Sequence, residues 1–117
     1  MRPLVFVGSS REDVRSFPDT VRRDVGHALS FVQAGRTPET SAPLHGFGSG
    51  VAEIAEDGED GTYRAVYTVA LPSAVYVLHA FQKKSTQGRK TVQRDQTFIR
   101  SRLAWAKAID ADVSRKG

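Results

Sequence analysis

A chain of 117 residues fits a single domain, since independent domains most often hold roughly 100–150 residues, and that length buries a core without covalent staples. It contains no cysteine, which excludes disulfides, thiolate zinc sites and a thiol nucleophile, and which fits a reducing cytoplasm. The formal net charge of +4 is unevenly spread: residues 1–38 carry six Arg against four acids, residues 39–60 carry six acids and no Lys or Arg, and residues 83–117 carry ten Lys and Arg against Asp95, Asp110 and Asp112. A basic C-terminal third favours a polyanionic partner, although a solvated helix face with a ragged tail has the same counts.

In chain order, MRPLVFVGSS holds an apolar run too short for a signal segment or a membrane span, and no later stretch reaches spanning length, so a soluble protein is expected. Leu4–Val7 reads as a short buried strand closed by Gly8, Ser9 and Ser10. Ser10 caps a short helix through Phe17, and Pro18 fits the first position of a longer one. Val21, Val25, Ala28, Leu29 and Val32 then recur at helical spacing as one apolar stripe, and Gly35 stops that helix. Residues 36–50, rich in Pro, Thr, Ser and Gly, read as a surface loop. Three strands follow, at Val51–Glu56, Tyr63–Leu71 and Ala74–Gln82, joined by turns short enough to make them antiparallel neighbours. A closing helix over Arg94–Ile109 places Phe98, Ile99, Leu103, Trp105, Ala106 and Ile109 on one face, with residues 110–117 as a basic tail. Arg102 projects from the middle of that face, either as a paired core arginine or reaching past the sheet edge. The order β-α-α-β-β-β-α is that of an α+β domain.

Few residues carry chemistry. His27, His45 and His79 are scattered without acidic partners at ligand spacing, and the run EDGED at 56–60 lacks the ligand order of a calcium loop, so neither a metal nor a cofactor is expected. The remaining candidates are cationic. Arg64, on a central strand between Tyr63 and Ala65, must find an anion, because an unpaired buried guanidinium is costly. That anion is either Glu53 on the adjacent strand or a phosphate. Beyond the next strand lie Lys83 and Lys84 in tandem, then Arg89 and Lys90 after Gly88. With Arg64 and Tyr67 they form a plausible phosphate cradle, aimed at RNA, whose 2′-hydroxyl is an internal nucleophile. His79 serves as acid or base if it opens onto the same face. Simple alternation groups it instead with the apolar Val75, Val77 and Phe81.

The stretches TYRAVYTVAL, AVYVLHAFQKKS, GRKT and FIRSRL strongly resemble the phage-derived Gp49-like, HigB-type branch of the RelE/ParE toxin superfamily. FPDTVRRDVGHALSFVQAG, APLHGFG and GVAEI agree in order and spacing, so the resemblance covers roughly residues 3–107. It implies a RelE/ParE-like fold, with two N-terminal helices packed on a small, mostly antiparallel sheet and a C-terminal helix. The activity it implies is that of a type II toxin, typically a ribosome-dependent mRNA endonuclease that needs no metal. A co-encoded antitoxin, usually with an Xre-type helix-turn-helix, holds such toxins inactive in a hetero-oligomer. Carried over residue by residue, the resemblance makes Arg64 the catalytic or phosphate-binding arginine and assigns Lys83 and Lys84 to the scissile phosphate. Tyr67 or His79 would assist, and Arg89, Lys90 and Arg102 would contact RNA. One departure is Ala55, which stands where an arginine is customary. The ParE relatives poison DNA gyrase on much the same fold, and a decayed member that only binds its antitoxin is the remaining alternative.

Overall fold

The computed structural model describes residues 1–83 and 93–116. They form β1 (Leu4–Phe6), α1 (Ser10–Arg15), α2 (Asp19–Gln33), β2 (Ser41–Pro43), β3 (Val51–Gly58), β4 (Gly61–Thr68), β5 (Val75–Lys83) and α3 (Gln93–Lys116). The strands make one sheet in the order β1-β5-β4-β3-β2, antiparallel except for β1, which runs parallel to β5. The mostly antiparallel α+β reading therefore holds. Two parts of it change. Residues 41–43, expected in a loop, add an edge strand to β3, and the expected basic tail is helix as far as Lys116.

The sheet separates two cores. On one side α2 lays down its stripe of Val21, Val25, Ala28, Leu29 and Val32 against Ile54, Tyr63, Ala65, Tyr67, Val75 and Val77, joined by Val14 and Phe17. The helix begins after Pro18, whose fixed φ suits that place, and it ends in a Schellman motif. There the Arg36 N–H donates to the Phe31 carbonyl (2.9 Å) and the Gly35 N–H to the Val32 carbonyl (3.0 Å). Gly35 takes φ +82°, which only glycine adopts without strain. On the other side Ile99, Leu103 and Ala106 of α3 pack on Val51, Val66, Tyr76 and Leu78.

Phe98 and Trp105, grouped with the buried residues of α3 by periodicity alone, are instead 40% and 55% exposed. The far end of α3 is tied down by Asp110, whose Oδ1 accepts from the Ser73 N–H and the Tyr76 hydroxyl, each at 3.0 Å. No described helix is long and apolar enough to cross a membrane.

A β-bulge decides which residues reach the site. Val66 pairs with His79 but Tyr67 pairs with Val77, leaving Leu78 as an extra residue on β5. Before it, Val75 and Val77 face α1 and α2. After it, His79, Phe81 and Lys83 face the α3 side. The alternation that grouped His79 with Val75 and Val77 is broken at that single residue.

Candidate functional site

Cross-strand register assembles the site. On the α3 side of the sheet, Ala55, Arg64 and Phe81 form one row across β3, β4 and β5. Asp57, Thr62 and Lys83 form the row on one side of it, and Glu53, Val66 and His79 the row on the other. Because Ala55 carries only a methyl group, nothing on β3 stands in front of the Arg64 side chain. That leaves the diagonal neighbour Glu53 within its reach.

Arg64 takes that neighbour. Its Nη1 donates to Glu53 Oε1 at 2.5 Å, and both side chains are largely covered, at 18% and 14% exposure. The pair is geometrically incomplete. Arg64 Nε and Glu53 Oε2 are buried and make no hydrogen bond among the described residues. Burial pushes the Glu53 carboxyl above the usual carboxylate range, against the opposing fields of Arg64 and Lys83. Lys83 is itself buried, on the same face as Arg64. Of the two anions posed for Arg64, the structure supplies Glu53.

His79 is sealed. A guanidinium can only donate, so its contact at 3.1 Å makes Arg102 Nη1 the donor to His79 Nδ1. The ring proton then sits on Nε2, which points at Asp95 Oδ1, 2.7 Å away. Phe81 and Phe98 both stack against the ring, with centroids at 5.1 and 5.3 Å. Both nitrogens are engaged and the side chain is buried, so the expected acid or base role for His79 has no open atom to work through.

Arg102 was expected to contact RNA, and it is instead the paired core arginine. Nη1 also donates to the Leu78 carbonyl (3.2 Å) and Nη2 to Ser9 Oγ (2.8 Å), with the guanidinium over the Phe98 ring. Gly8 makes room for it: φ is +62°, and a Cβ there would lie 2.6 Å from Arg102 Nε.

Tyr67 lies on the opposite face from Arg64. Its side chain is buried in the α2 core, and its hydroxyl shares a short hydrogen bond with Ser41 Oγ. It opens only onto a cleft of about 440 Å³ lined by Val32, Arg36, Ser41 and Val69. Alternation along β4 is unbroken, so a residue three positions from Arg64 falls on the other side of the sheet. Lys84, Arg89 and Lys90 fall outside the described residues. The structure therefore brings Arg64 and Lys83 together, adds Glu53, and separates Tyr67, His79 and Arg102 from them. Asp95 and Ser9 escaped the sequence reading. An acid in the first turn of α3 is the one signal that pointed at Asp95.

The profile of the phage-derived Gp49-like proteins matches residues 12–104, most of the chain. The chain belongs to the Gp49-like family. This Gp49-like chain also shares its fold with solved RelE toxins. The isolated E. coli RelE toxin is 22% identical and superposes with a TM-score of 0.58 over 83% of this chain and 96% of that one. A free-state arginine double mutant of E. coli RelE is 20% identical, with a TM-score of 0.56 over 74% and 87% of the two chains. The toxin-antitoxin complex RelBE2 from Mycobacterium tuberculosis gives 19% identity and a TM-score of 0.50 over 70% and 98%. Among curated proteins none matches the sequence.

Proposed function

We propose that this Gp49-like protein is the toxin of a type II toxin-antitoxin system and acts as a ribosome-dependent mRNA endonuclease that blocks translation in the cytoplasm. The observation that carries the reading is the convergence of Arg64 and Lys83 on one sheet face beside the small Ala55. Two cations held on rigid strands suit a phosphodiester whose charge grows as the 2′-oxygen attacks. Charge-stabilising donors of this kind act without moving during the reaction. Family membership and the RelE-like fold support the toxin reading. The neighbouring fold that crystallised as RelBE2 supports an antitoxin as partner. An Xre-type helix-turn-helix protein is the proposed antitoxin. RNA carries its own nucleophile in the 2′-hydroxyl, so the protein's task is to hold the strand in line, stabilise charge and move two protons.

Induced expression in a bacterial host followed by primer extension on a translated message tests this. Growth arrest with new message ends is expected. Growth arrest with intact message and an SOS response would replace the nuclease by a gyrase poison. Expression without arrest would leave an antitoxin-binding protein alone.

A further inference from the structure

We propose that Glu53 is the general base of this site, held idle by Arg64 until a substrate phosphate takes the guanidinium from it. The inference rests on the nuclease reading and deepens it. Two other candidates for the base are disfavoured by placement: His79 has both nitrogens bonded, and Tyr67 faces the opposite core. Lys83 keeps the role of phosphate partner that the proposed function gives it. Glu53 touches Arg64 directly and retains a buried oxygen, Oε2, without a hydrogen bond among the described residues.

A buried carboxylate oxygen without a donor is costly, and accepting a proton relieves that cost. Among the described residues, the groups facing Glu53 are Arg64 from β4 and Lys83 from β5, with His79 farther along the same row, bonded to Asp95 and Arg102 of α3. Asp57 lies two rows along β3, and β2 contributes Ser41, Ala42 and Pro43. Arg64 is in direct contact, and its field holds the proton affinity of Glu53 down. An RNA phosphate can engage a guanidinium through two oxygens at once, where Glu53 engages Arg64 through one. Once phosphate occupies Arg64, burial acts on Glu53 with less opposition, and its proton affinity rises toward the range useful to a base near neutral pH.

The step then balances. Glu53 takes the proton of the 2′-hydroxyl as the 2′-oxygen bonds to phosphorus. The bond from phosphorus to the 5′-oxygen breaks, and that oxygen takes a proton from water. The products are a 2′,3′-cyclic phosphate and a 5′-hydroxyl, and Glu53 returns its proton to solvent.

The test is Glu53→Gln, which keeps an oxygen to accept from Arg64 but cannot take the proton. Cleavage of a translated message on purified ribosomes and binding of the RNA are measured in parallel for wild type, Glu53→Gln and Arg64→Ala. Expected for Glu53→Gln is a loss of about 10²–10⁴-fold in cleavage with RNA binding equal to or tighter than wild type. Wild-type cleavage should also fall on the acid side of its pH profile, a limb read on the unmutated protein and so independent of how the variant folds. Glutamine cleaving within a few-fold of wild type, or no acid limb in the wild type, overturns the assignment, as does a parallel loss of binding and cleavage. If Arg64→Ala is inactive while Glu53→Gln is active, only the base falls. If wild type leaves the message intact, the nuclease reading falls and the base with it.

Discussion

Glu53 sits where a negative charge is poorly solvated, and the consequence is measurable without any substrate. Burial raises its proton affinity in the folded state above the ordinary value of 4.5, with Arg64 and Lys83 opposing. A carboxyl whose folded affinity is raised contributes stability that is fully present below its unfolded value and is lost as pH rises through the folded one. Glu53→Gln, neutral at every pH, should therefore melt higher than wild type at about pH 8, with the gap closing toward about pH 4. Thermal denaturation at the two pH values checks this. A variant less stable than wild type at the higher pH would show that the ion pair outweighs the burial. At this scale the sequence was legible for Arg64 and Lys83, because a strand arginine and a strand-end lysine announce a need for an anion. It was misleading for His79, because side-chain direction follows from counting along a strand and the extra residue Leu78 resets the count on β5. Tyr67 was grouped with Arg64 by nearness in sequence, although plain alternation over three residues puts it on the other face.

The elements are anchored by polar ties that periodicity does not reveal. On α3, Arg102 reaches across to β5 and to Ser9, and Asp110 holds Ser73 and Tyr76. Asp112 adds pairs to Arg115 at 3.1 Å and Lys116 at 3.2 Å along the last turn. A basic composition suggested a loose tail there, but Asp110, its first residue, fixes the helix to Ser73 and Tyr76.

Gly8→Ala should force a non-glycine residue into positive φ and push Arg102 off His79. A cost of about 1–3 kcal/mol in urea unfolding is expected. Tyr76→Phe should remove a buried bond to a carboxylate and cost about 1.5–3 kcal/mol. Burial first, and the Asp110 bond second, push the Tyr76 phenol up to about 12. A raised affinity of this kind stabilises the fold below the ordinary phenol value of 10 and is lost as pH rises toward 12. The gap between wild type and Tyr76→Phe should accordingly narrow in strong alkali.

Across the whole molecule, one sheet keeps two cores apart and gathers Glu53, Arg64 and Lys83 on its α3 face. The strand and helix order was readable because hydrophobic period and turn residues switch cleanly along the chain. The parallel placement of β1 beside β5 and the edge strand β2 were not. Three-residue segments have no period, and their pairing is decided by long-range contacts such as Val7 to Val77 and Ala55 to Thr40. If the cationic face neutralises about four phosphates, log affinity for single-stranded RNA should fall with log salt at a slope near about −3. A flat response in filter binding would remove RNA from the account.

The central claim is that Arg64 stabilises the transition state of RNA cleavage. It is tested most directly by the rate and end chemistry of message cut on purified ribosomes by wild type and Arg64→Ala. Wild type should leave 2′,3′-cyclic phosphate and 5′-hydroxyl ends, and the variant should cut about 10²–10³-fold more slowly. Equal rates for the two proteins, or ends of another kind, would contradict it.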